Sequence, residues 1–155
     1  MTLDELREYA GFGNDKSDVF DSWNAEKRRL NALTKFPHSK RRQVWWCNIG
    51  QNIGHEQSCS VGFQRPVLVV AAFGNIFWGL PITSSDSAGK KSKDPLYIQL
   101  DETSYIDENG LEKVLHGFIA LRQLRAFDSR RLIRKIARLD VDTFDGIVKR
   151  VRDLI

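Results

Sequence analysis

The stretch "RPVLVVAAF", residues 65–73, limits the fold more than any other part of the chain. After the Arg–Pro pair it is a continuous apolar run, the pattern of a strand covered on both faces. Pro66 stands at its start, where a missing backbone N–H does least harm to a ladder. Gly74–Asn75 is a tight-turn signal, and the β-type segment "IFWGLPIT" follows directly. A buried hairpin is therefore the expected centre of the fold.

The flanking segments extend that sheet. "QVWWCNI" from Gln43 is rich in β-branched and aromatic residues and reads as a strand. Trp45 and Trp46, being adjacent, must point to opposite faces of it. Residues 50–64 contain Gly50, Gly54 and Gly62 and read as a long polar loop. "SSDSAGKKSKDP" (84–95) reads as a basic loop, "LYIQL" as a strand, "DETSYIDENG" as a turn-rich connection, and "LEKVLHGFIAL" follows. Val19, Phe20, Trp23, Leu30 and Leu33 recur at helical intervals, which predicts a helix over about 18–34, capped by Ser17 or Asp18 and ended before Pro37. Phe144, Ile147, Val148, Val151 and Leu154 form one stripe of a C-terminal helix capped by Asp142 or Thr143. Residues 1–16 read as a short lead-in, and "GFGNDKSD" within the N-terminal region lacks the spacing of a phosphate loop. The count of five or six short strands with helices before and after suggests an α+β chain: a small twisted β-barrel or strongly curved sheet decorated by helices.

Composition narrows the function. The chain has 155 residues, matching one domain of ordinary size, ~100–200 residues. No apolar run approaches the ~20 residues that span a bilayer. The start "MTLDELREYA" has no apolar signal region, so a cytoplasmic protein without membrane contact is expected. The two cysteines, Cys47 and Cys59, form no CxxC pair and the three histidines are scattered, which gives a zinc site little support. A Cys47–Cys59 disulfide is unexpected without a secretion signal. Lys and Arg number 24 against 20 Asp and Glu, a net +4. The cations cluster in "SKRR" (39–42), "KKSK" (90–93) and "RQLRAFDSRRLIRK" (122–135), a distribution that permits an anionic partner such as nucleic acid.

Three blocks occur in order: "WWCNIGQNIGHEQ" leading to "RPVLVV", then "GLPITS", then "LRQLRAFDSRRL". Together they resemble the three sequence blocks of the MazF/PemK toxin family over roughly residues 42–155, and the helix ahead of them resembles the extension of a longer branch. The resemblance implies an SH3-like β-barrel of the CcdB/MazF type, with an N-terminal extension over 1–40 and the toxin-like domain over 41–155. It implies a homodimeric toxin of a type II toxin–antitoxin system that cuts single-stranded RNA, chiefly mRNA, with no cofactor, and a cognate antitoxin whose acidic segment covers the RNA groove. It also sets "SRRL" as a short turn at 129–131 and 133–139 as mostly strand, although "SRRLIRKIARL" by composition fits a basic amphipathic helix. Two other readings stay open: a toxin-like binding module that has lost cleavage, and a gyrase poison of the CcdB type.

Metal-free RNA cleavage uses the 2′-OH as nucleophile on the adjacent phosphate. It needs a proton acceptor, a proton donor and a group that steadies the phosphorane charge. By the resemblance, Arg65 is the catalytic arginine, whose planar fork suits a phosphate. Without the resemblance, Arg65 reads as a strand-end residue in a surface ion pair. Thr83 matches the family's strand-ending threonine, with Ser84 and Ser85 in support. His55 matches a position where some members carry a contributing histidine; it is either a proton carrier or an exposed loop residue. Glu56 matches a family glutamate and reads more as a loop organiser. Lys90 and Lys91 belong to a basic loop suited to RNA backbone. Gln123, Arg125 and Asp128 match the third block, the last two as groove residues or as a structural ion pair. Arg122 stands where many members have an acid, and Ala120 where PemK-type members have an arginine, so the PemK-type catalytic set is incomplete while the MazF-type Arg/Thr pair survives. Trp45, Trp46 and Trp78 are candidates for base stacking, worth about 1–3 kcal/mol per base.

Overall fold

The computed structural model describes residues 17–58, 62–84, 89–107 and 109–155. The expected lead-in over 1–16, Cys59 and Ser85 lie outside them. So do the side chains of Ser17 and Asp18, the expected caps.

Seven strands form one antiparallel sheet: β1 (Gln43–Asn48), β2 (Gln64–Ala72), β3 (Ile76–Thr83), β4 (Tyr97–Ile106), β5 (Glu112–Ala120), β6 (Arg125–Asp128) and β7 (Leu132–Arg138). Their order is β4-β5-β3-β2-β1-β7, with β6 paired to β3. Helix α1 (Ser17–Asn31) precedes the sheet, a four-residue helix α2 (Lys90–Lys93) precedes β4, and α3 (Val141–Asp153) closes the chain. The sheet curls until its edges meet, and the Arg134 guanidinium of β7 lies 5.8 Å from the Tyr105 ring centroid of β4. This is the expected small curled barrel with a helix at each end.

The hairpin at its centre is buried for a simple reason. Side chains alternate along a strand, and each face of β1 and β2 meets a core. Val44, Leu68 and Leu80 join Phe144 and Ile147 of α3 in one cluster, while Trp45, Cys47, Val67 and Val69 join Phe77, Phe127 and Leu132 in the other. Burial pushes the Cys47 thiol up to about 12, against the opposing influence of Arg131 and Arg125.

β3 is the shared strand. It pairs with β2 through Val67↔Pro81 to Ala72↔Phe77, with β6 at its start through Ile76↔Asp128 to Gly79↔Arg125, and with β5 at its end through Ile82↔Ile119 and Thr83↔Phe118. The last contact is tight: a Cβ on Gly117 would lie 2.7 Å from the Thr83 carbonyl oxygen, and its φ of +155° also favours glycine.

Several boundaries differ from the sequence expectation. Residues 101–106, expected as a connection, continue β4, whose register shifts between Leu100 and Thr103. α3 is capped by Asp140, whose carboxylate accepts from the Thr143 amide at 2.9 Å, and neither Asp142 nor Thr143 is the cap. Asp140 is the residue whose backbone is still extended when the helix begins, so its short side chain can turn back onto the first free N–H groups. Leu154 and Phe20 are exposed rather than part of their helices' buried stripes. The turn at 129–131 and the strand after it are as the family pattern set them.

α1 docks through Trp23, which is 4% exposed. Its ring centroid lies 5.2 Å from that of Phe63 and 5.4 Å from the Arg131 guanidinium. It also lies flat against Gly50, where a Cβ would fall 2.0 Å from the indole. Gly50 has φ +79°, so both its backbone and the Trp23 ring require glycine there.

Candidate active-site groove

Arg65 stands near the start of β2, directly after the loop that leaves β1. It is half-buried, and two backbone carbonyls hold its guanidinium: Nη2 donates to Ser58 at 3.1 Å and Nη1 to Ile82 at 3.5 Å. No carboxylate pairs with it among the described residues, and its buried Nε has no hydrogen-bond partner there. An arginine held by neutral carbonyls keeps its full charge for an outside anion.

The Ile82 contact fixes where that charge lies, at the residue before Thr83. Thr83 ends β3, is buried, and its hydroxyl accepts from Lys91 Nζ at 3.5 Å. Arg65 on β2 and Lys91 on α2 thus each bond the end of β3, Arg65 at the Ile82 carbonyl and Lys91 at the Thr83 hydroxyl. Beside them is a groove of about 360 Å³ whose lining includes Trp46, Gln64, Arg65, Ser84, Tyr105 and His116. His116 was not anticipated in this role. It sits on β5, its side chain is exposed, and its Nδ1 lies 3.7 Å from Glu102 Oε1 of β4. Only the strand order that sets β5 beside the end of β3 brings it there, and no spacing in the sequence signals that.

The remaining candidates divide. His55 is exposed on the loop, outside the groove lining; its carbonyl, not its ring, is engaged, accepting from Gln123 Nε2 at 2.9 Å. Glu56 organises the loop as expected, since its carboxylate accepts from the Ile53 amide at 3.0 Å. Gln123 is a clamp: besides His55 it accepts from the Gln57 amide at 3.1 Å, so both ends of its amide are used on the loop. Arg122 and Lys90 are exposed and make no ion pair among the described residues.

Arg125 and Asp128 do not form the ion pair considered above. Arg125 lies over the Phe127 ring at 4.7 Å, while Asp128 takes Arg130 at 3.1 Å and accepts from its amide at 2.8 Å. The strand geometry explains it: Asp128 ends β6 and caps the short turn that follows, which carries Arg130 back onto it. Of the tryptophans, Trp45 is core, with Nε1 donating to Gln43 at 2.9 Å; Trp46 is the one in the groove wall, on the opposite face as alternation requires; Trp78 is exposed near the start of β3, edge-on to Phe73.

Among the described residues no three His, Cys, Asp or Glu side chains gather as a metal cluster, and no helix is long and apolar enough to cross a membrane.

Comparison with known proteins bears on the fold and the family. The chain is 33% identical over 110 residues to endoribonuclease EndoA of Bacillus subtilis, covering 70% of this chain and 86% of that protein. Its fold resembles the crystal structure of MazF from Deinococcus radiodurans with a TM-score of 0.56 at 20% identity, covering 76% of this chain and 96% of that one. It also resembles a MazE–MazF structure from the same organism, with a TM-score of 0.51 at 18% identity over 76% of this chain and 96% of that one. Residues 40–155 match the family described as the PemK-like, MazF-like toxin of type II toxin–antitoxin systems, and the chain is a member of that family.

Proposed function

We propose that this chain is the toxin of a toxin–antitoxin pair and an endoribonuclease that cuts single-stranded RNA, chiefly mRNA, in the cytoplasm. The observation that carries the reading is an Arg65 guanidinium in the groove wall, free of any carboxylate among the described residues and hydrogen-bonded to the Ile82 carbonyl, the residue before Thr83. The similarity to EndoA supports the reaction class.

In this mechanism the 2′-oxygen attacks the adjacent phosphorus, the P–O5′ bond breaks, and the products are a 2′,3′-cyclic phosphate and a 5′-OH. Arg65 stabilises the extra charge of the phosphorane, a role that needs a fixed cation rather than a titrating one. Thr83, backed by Lys91, donates to a phosphate oxygen. His116 takes the 2′-OH proton, steered by Glu102, and the leaving oxygen regains a proton from solvent. His116 thus stands in for the acid that Arg122 replaces. Trp46 and Tyr105 line the groove with faces for a base. The acidic segment of a cognate antitoxin would occupy the same groove, and a homodimer would bring two such grooves together; a solved structure of similar fold is described as MazE–MazF.

A second reading, a toxin-like module that binds RNA without cutting it, draws on Arg122 in place of an acid. One experiment decides between them: purified protein with a long RNA in excess chelator. Cuts ending in cyclic phosphate that disappear with Arg65→Ala support the nuclease. Intact RNA with retained binding supports the module, and inhibited supercoiling with intact RNA would point to gyrase.

A further inference from the structure

Another cleft among the described residues lies outside the candidate groove and is half built by α1, which precedes the family's matched region. Its volume is about 420 Å³. Burial of Trp23 and Leu30 fixes the rotation of α1. That rotation aligns Asn24, Lys27, Arg28 and Asn31, spaced i, i+3, i+4, i+7, as one wall. The facing wall is Asp128, Arg130 and Arg131.

Four cations therefore share the cleft with one carboxylate, and that carboxylate is spent. Asp128 accepts from the Arg130 amide and both its oxygens lie within 3.2 Å of Arg130 Nη1. Arg130 is tied further by its Nε to the Leu33 carbonyl and by the Phe36 ring, 4.6 Å from its guanidinium. Arg131 is held rigidly too, donating to the Asn48 carbonyl at 3.1 Å and lying over Trp23. Burial, and then the neighbouring Arg125, push the Arg131 guanidinium below its usual range. Lys27 and Arg28 are exposed and make no ion pair among the described residues. Fixed forks, exposed cations above them, two asparagine amides and no spare counter-charge among the described residues are the fittings of a phosphate site.

The cleft and the groove are linked through one strand pair. Asn48, which holds Arg131, pairs across β1–β2 with Gln64, and Gln64 lines the catalytic groove.

We infer that this cleft binds backbone phosphate of the RNA strand beyond the bond being cut, which makes α1 a substrate-binding element. The inference rests on the RNA-cleaving reading for its ligand, so the test separates the two. The probe is a single-stranded 2′-O-methyl oligoribonucleotide, which lacks the nucleophile and stays intact, titrated against the full chain over a range of salt concentrations. The comparison is Lys27→Glu/Arg28→Glu, both at exposed positions, with an unchanged melting temperature as the check on folding. The double variant should bind at least tenfold more weakly at low salt. Its slope of log affinity against log salt should be shallower by about 0.7 for each phosphate that it no longer neutralises. An unchanged affinity and slope overturn the cleft, whether or not the wild-type chain cuts ordinary RNA. So does a weakening seen only with an acidic peptide as probe, which would assign the cleft to an antitoxin. A shallower slope together with a wild-type chain that fails to cut RNA keeps the cleft and removes the nuclease.

Discussion

Gln123 donates to the His55 carbonyl at 2.9 Å, joining a turn after β5 to a loop 68 residues earlier in the chain. The same side chain accepts from Gln57, next to the Ser58 carbonyl that holds Arg65. Gln123 is thus a positioning residue for the arginine, two links away. Gln123→Ala should cost about 1–2 kcal/mol of stability, two ordinary hydrogen bonds. It should lower kcat more than it raises KM, because the guanidinium loses its fixed position. Gln123→Glu, which keeps one acceptor and loses the donor, should recover part of the stability, and urea unfolding with single-turnover kinetics measures both effects.

The groove contains His116 and not His55. His116→Gln should therefore slow cleavage by about 10²-fold, the lower range of a well-placed proton-transfer group, and remove one limb of the pH–rate profile. His55→Gln should change the rate little, since only its backbone is engaged. Parallel pH–rate profiles of the two variants check the assignment; a profile unchanged by His116→Gln would return the proton transfer to another group.

Trp23 is the anchor of α1, filling the hollow over Gly50 against Phe63. Trp23→Ala should destabilise the protein by about 3–5 kcal/mol, as large aromatic truncations do. Gly50→Ala should be destabilising as well, because it clashes with the ring and strains a backbone at φ +79°. Calorimetry on each variant, and on the pair, should show less than additive losses, since both remove the same contact.

Acid should act on the start of α3. The bond to Thr143 holds the Asp140 carboxyl below the usual carboxylate value of 3.8. A carboxyl depressed in the folded state stabilises it at pH above the unfolded value, and that stability is lost as pH falls through the folded one. Thermal melts of Asp140→Ala should lie below wild type at neutral pH and converge with it in strong acid. A constant difference across that window would show that the helix start gains nothing from the charge.

The central hairpin was legible from residues alone because a run such as "RPVLVVAAF" has no soluble fate except between two cores. Arg65 and Thr83 were legible because motif and strand end coincide. His116 was not: its place depends on the β3–β5 pairing at Thr83↔Phe118, a contact between segments 35 residues apart that no local pattern encodes. The Arg125–Asp128 pair failed for the opposite reason. Proximity along the chain suggested it, but Asp128 caps the following turn and so faces Arg130. The cap of α3 lies two or three residues before the expected Asp142 or Thr143, because Asp140, Asp142 and Thr143 are all chemically able to cap and only the backbone angle at Asp140 decides between them.

β3 carries three neighbours: β6 at its start, β2 along its length and β5 at its Thr83 end. A strand laced on both sides cannot peel away locally, so its amides should exchange with solvent only when the whole sheet opens. Thr83 and the carbonyl that holds Arg65 are part of that lacing. Loss of RNA cleavage on heating should therefore coincide with the global melting transition, and activity lost below that transition would show that the sheet loosens first.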